Sequence, residues 1–424
     1  MTTLAIIGTG VAGLGCAHFL HRKYDLTLFE QNDYPGGHTN TVTVDEQGRG
    51  IPIDTGFMVY NEVTYPNLTR LFRELEVKTK PTTMSFSVSH QPSGIEYNGA
   101  GLNRLFGQRR NLLRPRFWRL LTRMNRFNAE AIEALQDESY APYTVGRYVQ
   151  EMGYGDDFLN LFLVPMSSAV WSTPPDKMLD FPVRTLLRFF HNHGFLGLHT
   201  HHPWRTLEGG ARSYVSKMTA PWRERIRLNS RAAKITRSGG GVTVTMASGA
   251  EERFDKVIMA SHADETLRLL ADPSPAERAL LSPFHYQRNA ATLHTDASVM
   301  PRTPACWASW NYRIEALPDG GTRPSTHYWM NSLQGVSQRR HYFVSLNSED
   351  RVAPSSILRR IEYHHPLFSL DAIAAQRELP GLNRIAAEQS TYFCGSYFKY
   401  GFHEDAFTSG LECARAVSGE PIWT

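Results

Sequence analysis

Short unbroken runs of apolar residues alternate along this chain with longer stretches in which apolar positions recur every three or four residues. Residues 4–7 form the first run, 14–20 carry a helical pattern, and 26–29 form a second run. A short continuous run bounded by glycine or polar residues reads as a strand buried in a parallel sheet, so the opening predicts strand, helix, strand. Residues 232–235, the alternating 242–245, a polar turn at 248–250 and the run 256–260 predict a further series of strands. From Pro115 onward, Phe117, Leu120, Leu121, Met124, Phe127, Ala131 and Leu135 keep helical spacing, and proline suits the first turn. No stretch reaches the ~18 apolar residues of a membrane-crossing helix. The nearest, 158–171, is interrupted by Asn160, Pro165, Ser167 and Ser168.

Composition adds size and one asymmetry. With 424 residues, 41% of them hydrophobic, the chain has material for two or three packed units and a sizeable core. Its formal charge of +4 hides a local excess: residues 101–128 hold eight arginines (Arg104, Arg109, Arg110, Arg114, Arg116, Arg119, Arg123 and Arg126) and no acid or lysine. Without that segment, 37 basic residues face 41 acidic ones. The four cysteines, Cys16, Cys306, Cys394 and Cys413, form no Cys-x-x-Cys pair, so the spacing indicates neither a disulfide framework nor a zinc cluster. A reducing compartment suits them, and the N-terminus reads as structure and not as an export signal.

The first strand runs into Gly8-Thr9-Gly10-Val11-Ala12-Gly13. In that context Gly8 permits a tight turn, Gly10 lets backbone approach a pyrophosphate, and Gly13 lets helix and strand pack closely, with the helix N-terminus facing the phosphates. The second strand ends in Glu30, seventeen residues past Gly13, where a carboxylate accepts ribose hydroxyls and disfavours a 2′-phosphate. A second glycine pair, Gly36-Gly37, follows within one short loop, and a ligand longer than a simple nicotinamide dinucleotide needs such further close backbone approach.

These residues resemble the N-terminal signature of the amine-oxidase-type flavoproteins, the family of monoamine oxidases, protoporphyrinogen oxidase and phytoene desaturase. His38 stands where that family has arginine. The stretch 53–57 resembles the family's Asp-x-Gly strand end near the isoalloxazine, and 392–396 with 400–411 is similar to its closing flavin motif, Ser396 standing for the family acid. Leu207-Glu208-Gly209-Gly210-Ala211 resembles the Gly-Gly turn before a helix. Residues 165–172, Phe181-Pro182, 188–194 and Trp204-Arg205-Thr206 resemble a bacterial subgroup of NAD/FAD-binding proteins associated with cyclopropane, methylated and furan fatty-acid synthesis.

The resemblance implies an α/β fold with a discontinuous Rossmann-like FAD-binding domain (1–75, 200–275 and 386–424) and a mixed α+β substrate domain (76–199 and 276–385). It implies FAD held by Gly8, Gly10, Val11, Ala12, Gly13, Glu30, Gln31, Gly36, Gly37, His38, Thr39, Gly56, Phe57, Met58, Ala233, Gly395, Ser396, Phe402, His403, Glu404, Asp405 and Ala406. The expected activity is an oxidase, desaturase or isomerase removing hydride from an activated C–H of a fatty-acyl or phospholipid chain. An amine oxidase and a non-catalytic flavin-fold module that binds lipid or protein stand as alternatives. His191, His193 and Tyr60 are the candidate catalytic side chains. His191, His193, His199, His201 and His202 crowd together, but no carboxylate or cysteine completes a metal-ligand spacing, so no metal is expected. The basic helix at 116–136 reads either as a solvated face or as a peripheral contact, through Arg116, Arg119, Arg123 and Arg126, with an anionic membrane. No nucleic-acid module accompanies it. The expected location is the cytoplasm, with contact at the inner face of the membrane; the electron acceptor and oligomeric state stay open.

Overall fold

The computed structural model describes residues 1–197, 200 and 202–423; His199 and His201 of the histidine-rich run lie outside the described residues. One sheet is wholly parallel. Its strands stand in the order Ile226–Arg227, Asp25–Phe29, Thr3–Ile7, Lys256–Met259, Thr391–Phe393. The N-terminal strand is thus central, and its side chains are buried on both faces, as its unbroken apolar run requires. Leu4 and Ile6 pack with the helices Val11–Leu20 and His403–Ser418. Ala5 and Ile7 pack against the antiparallel meander Ala232–Ser238, Gly241–Met246, Glu251–Phe254 and against helix Leu370–Ala386.

Backbone contact holds the first layer together. A Cβ on Gly13 would lie 2.2 Å from the carbonyl oxygen of Gly8, and one on Gly410 would lie 2.4 Å from that of Ala12. Helix, loop and closing helix therefore touch main chain to main chain. In the same seam the Cys16 thiol donates to the Gly410 carbonyl at 3.1 Å. The Sγ atoms of Cys16, Cys394 and Cys413 lie within 4.8 Å of one another. Three of the four cysteines, whose spacing in the sequence indicates no pairing, thus meet as free thiols because the first helix, the last strand and the closing helix converge. Burial raises the thiol pKa of Cys16 and Cys413.

A second sheet of seven strands runs Ile357–Leu367, His285–His294, Phe343–Leu346, Thr322–Trp329, Trp310–Ala316, Phe86–His90, Ile95–Asn98. All its pairings are antiparallel except that of Trp310–Ala316 with Phe86–His90. Helices from residues 102–192 cover it with an aromatic core that includes Phe117, Phe127, Phe158 and Phe190. The helix expected from Pro115 is Pro115–Gln136, and it buries Phe117, Leu120, Phe127, Ala131 and Leu135. The interrupted stretch 158–171 forms a π-helical turn, Leu159–Leu163, continuing into Val164–Trp171 and ending at Ser172 in the left-handed region (φ 52°).

Candidate functional site

The glycine loop has the shape its sequence asks for. Gly8 adopts φ +103°, with Ala260 O only 2.8 Å from where a Cβ would stand, and its N–H donates to Phe29 O at 2.9 Å. Gly10 differs: no atom lies within 4 Å of its missing Cβ. Helix Val11–Leu20 starts there with no side-chain cap and no acid in its first turn, leaving the positive end of the helix for an anion. The second glycine pair folds onto this loop. Gly36 N donates to Thr9 O at 2.9 Å, and a Cβ on Gly37 (φ +58°) would sit 3.3 Å from Gly10 Cα.

At the end of the second strand, buried Glu30 accepts from Thr9 N (3.1 Å) and Thr9 Oγ1 (2.5 Å) through one oxygen, and from Asn32 N (2.9 Å) and Nδ2 (2.8 Å) through the other. These four donors occupy the roughly four lone-pair sites of the carboxylate, so ribose hydroxyls would bind there by displacing the Thr9 hydroxyl or the Asn32 amide. Gln31 beside it is exposed. The His38 ring stacks on Tyr363, centroids 4.8 Å apart, and its Nε2 is buried with no hydrogen-bond partner. Burial and the neighbouring His262 and His364 hold its pKa down at about 3. An open glycine and an uncapped helix end in one loop cluster fit a dinucleotide's diphosphate. Ala233 is the bulged residue of its strand, between pairs Ala232–Met246 and Lys234–Thr245, and has no partner residue in the ladder.

The far end of the chain closes the same site. Gly395 N donates to Ser409 Oγ at 2.9 Å, which ties the last strand to the closing helix. At the start of that helix Asp405 accepts from Phe402 N at 3.0 Å, and burial lifts its pKa to about 7. Glu404 turns away: its carboxylate accepts from Asn67 N (2.9 Å) and Leu68 N (3.0 Å) and caps helix Pro66–Glu74. Of the two acids expected at the flavin, the Glu404 side chain is therefore taken by a helix start. His403 stacks on Phe57 at 3.8 Å and 10°, with its Nε2 2.6 Å from Tyr214 Oη. Asp54 fastens this junction to the segment that links strands Thr322–Trp329 and Phe343–Leu346 of the second sheet. It accepts from Thr41 Oγ1 (2.5 Å), Ala211 N (2.8 Å) and Gln334 Nε2 (2.5 Å), and burial raises its pKa to about 6.

Between the sheets lies a cavity of about 160 Å³. Gly56, Phe57 and Met58 line it from the Asp-x-Gly strand end, and Phe402 and His403 from the closing helix. Trp171, Ser172 and Phe189 come from the helical layer, Trp310, Tyr328 and His365 from the second sheet. Phe189 stacks on Phe402 at 4.7 Å, and Trp171 Nε1 donates to Tyr400 O at 3.2 Å. Among the described residues, none that lines it is an acid, lysine or arginine. Burial keeps both lining histidines neutral, His403 with a pKa of about 3 and His365 shifted well below the ordinary value.

None of the three candidate catalytic side chains lines this cavity. His191 is exposed on helix Val183–Asn192. Tyr60 is buried in a short strand paired with Arg205 and packs on Phe72. His193 sits one layer back, stacked under Phe189 at 3.8 Å, with its Nδ1–H donated to Phe189 O at 3.0 Å and its pKa lowered by burial to about 4. Phe189 covers the histidine ring and itself lines the cavity.

The group that sequence reasoning missed is His365. Ala290 N–H donates to Asn347 Oδ1 (3.0 Å), which turns Asn347 Nδ2 toward Asn289 Oδ1 (2.7 Å). Asn289 Nδ2 must then donate, to Ser172 O (3.1 Å) and to His365 Nδ1 (2.9 Å). A backbone N–H thus fixes the tautomer, with the His365 proton on Nε2. Nothing local marks this residue. Its partners lie 76 and more residues away, and only the pairing of His285–His294 with Ile357–Leu367 brings them together.

Residues 11–332 match the family described as flavin containing amine oxidoreductase. No curated protein matches the chain in sequence. Among solved structures, cyclohexylamine oxidase from Brevibacterium oxydans IH-35A is 16% identical with a TM-score of 0.70, covering 99% of both chains. A fatty acid isomerase from P. acnes that produces CLA is 14% identical, TM-score 0.67, over 96% of this chain and 97% of its own. Reduced UDP-galactopyranose mutase is 16% identical, TM-score 0.66, over 99% and 96%. At such identities these likenesses show the fold, and one fold carrying an oxidase, an isomerase and a mutase leaves the reaction to be read from the site. Among the described residues no helix is long and apolar enough to cross a membrane. With a family match over three quarters of its length and a fold shared end to end, the chain belongs to the flavin containing amine oxidoreductase family and is an FAD-dependent oxidoreductase.

Proposed function

We propose that the protein oxidises or isomerises an uncharged apolar substrate, an unsaturated or methyl-branched fatty-acyl chain, at the cavity between the two sheets. The observation that carries this reading is the lining: mostly aromatic and aliphatic, free of formal charge among the described residues, with His365 and His403 neutral. Desolvating a charged substrate in such a wall is costly, and desolvating an alkene is favourable. The likeness to a fatty acid isomerase supports it.

FAD would be held by the loop Gly8–Gly13 with Val11 and Ala12 at the helix start, by Glu30 and Gln31, by Gly36, Gly37, His38 and Thr39, and by the Ala233 backbone. Gly56, Phe57, Met58, Gly395, Ser396, Phe402, His403, Asp405 and Ala406 would hold the flavin end, in a unit made of 1–75, 200–275 and 386–424. When bound, FAD supplies a two-electron acceptor for hydride. The bond to be broken must be activated, so the substrate places an allylic carbon in the cavity. The aromatic wall of Trp171, Phe189 and Phe402 orients the chain and excludes water. His365, with its tautomer fixed, is the group we assign to moving a proton when the reaction shifts a double bond.

Purified holoprotein given unsaturated fatty acids and phospholipids is expected to change double-bond number or position, read by mass spectrometry of the acyl chains. His365→Asn should lower that turnover at least about tenfold with flavin content unchanged. The second reading is oxidation of a deprotonated amine, favoured by the aromatic pair Phe402 and Phe189 stacked in the wall. Peroxide release with cyclohexylamine or a polyamine, with acyl chains unchanged, would replace the first reading by the second.

A further inference from the structure

The arginine-rich segment has a second property that its sequence conceals: it carries the largest local concentration of exposed large apolar side chains. Leu102 is 75% exposed, Leu112 47%, Leu113 88% and Trp118 48%. They share one corner. Trp118 Nε1 donates to Leu112 O at 2.9 Å, and the Phe106 ring, one turn after Leu102, packs 5.2 Å from Trp118. Arginines ring this apolar tip without losing their charge. Arg109 donates to Asn103 O, Asn103 Oδ1 and Phe106 O, while Arg110 and Arg114 donate to Gly94 O, all neutral acceptors. Among the described residues only Arg116, with Asp157, and Arg126, with Glu130, pair with a carboxylate out of the segment's eight arginines. Arg126 also lies over the Tyr154 ring. The stripe of Arg116, Arg119, Arg123 and Arg126 expected as a docking face is thus partly neutralised by the protein itself.

Local helix physics points the same way. Helix Pro115–Gln136 begins with Arg116 and Arg119 and has no acid in its first turn, although cations at that end oppose the helix dipole. A pattern that costs the isolated helix stability favours an anion brought from outside.

We propose that the corner at residues 102–119 docks the protein on the surface of an anionic phospholipid bilayer, with Leu102, Leu112, Leu113 and Trp118 inserted among the headgroups and Arg104, Arg109, Arg110, Arg114 and Arg119 on the phosphates. A second copy of the chain is a poor occupant, because a two-fold pairing sets arginines on arginines. Nucleic acid would use the charge but leave the leucines without a partner. The proposal deepens the lipid-substrate reading yet stands on the surface alone, since vesicle binding requires no turnover.

The test is sedimentation of the holoprotein with phosphatidylcholine vesicles, with and without phosphatidylglycerol. Wild type is expected to bind only the anionic vesicles and to release steeply with salt. Leu102→Ser with Leu113→Ser, and separately Arg104→Gln with Arg119→Gln, should each weaken partition about tenfold or more, with flavin content and thermal melting unchanged. Because all four native thiols are buried, Leu113→Cys can carry an environment-sensitive dye, which should shift to the blue on anionic vesicles. The same dye at Ile132→Cys, an exposed site further along the helix, should not. Failure of wild type to bind anionic vesicles, equal binding by the variants, a shift at Ile132 and not at Leu113, or binding to DNA in place of vesicles would each overturn the proposal. Unchanged acyl chains in the turnover assay would overturn the lipid-substrate reading and leave the docking result standing.

Discussion

The parallel sheet and the seven-stranded sheet do their work with different parts of the chain. Around the parallel sheet the backbone acts: Gly8 turns, Gly10 stays open, Gly13 and Gly410 let main chain meet main chain. Around the other sheet side chains act, with Trp171, Phe189, Trp310, Tyr328 and His365 converging on one cavity from distant elements. A backbone site is built from few residues close in sequence, whereas a side-chain site is assembled by topology. In the function proposed above, the first kind would hold the cofactor and the second would set what is transformed.

The sharpest break between the two is a pair of glycine substitutions. Gly13→Ala puts a Cβ 2.2 Å from a carbonyl oxygen, contact that no side chain can relax, and should cost about 3 kcal/mol or more, giving protein that melts early and lacks flavin. Gly10→Ala meets nothing within 4 Å and should melt within about 0.5 kcal/mol of wild type, yet bind FAD at least about tenfold more weakly. Thermal denaturation and flavin absorbance of the two variants check both. Equal behaviour would remove the distinction between a packing glycine and a ligand glycine.

Phe189→Ala probes the other half. Losing a buried ring stacked on both Phe402 and His193 should cost about 3 kcal/mol, with FAD retained and the cavity enlarged. Chemical denaturation with flavin content as the second readout tests it, and loss of flavin would show the halves to be less separable than drawn.

Acid gives the most graded comparison. His38, His262 and His403, with His294 and His327 in the second sheet, are held by burial at a pKa of about 3 to 4. The unfolded chain takes up their protons below an ordinary value of about 6.5, so each contributes stability that falls by up to about 1.4 kcal/mol per pH unit between there and pH 4. Asp54 and Asp405 work in reverse. Raised by burial to about 6 and about 7, they favour the folded state below the ordinary carboxylate range and lose that contribution as pH rises through those values. The histidines are more numerous, so melting temperature should drop from pH 6.5 to 4.5, and Asp405→Asn, which removes an opposing group, should steepen the drop. Melting curves against pH settle the sign.

Sequence by itself determined the strand-helix-strand opening and the glycine loop with Glu30, and, through the family its motifs resemble, the closing segment and the cofactor. Each of these is a contiguous pattern whose backbone consequence is local. It placed the basic segment too, but not its exposed leucines, since the same spacing serves buried and open faces. Tertiary structure alone decided that His365 and not His191, His193 or Tyr60 reaches the cavity, that Glu404 caps a neighbouring helix, and that Cys16, Cys394 and Cys413 meet. The physical reason is common to all three: which side chains share a space is fixed by strand register and helix rotation between segments far apart in the chain, and no local spacing encodes either.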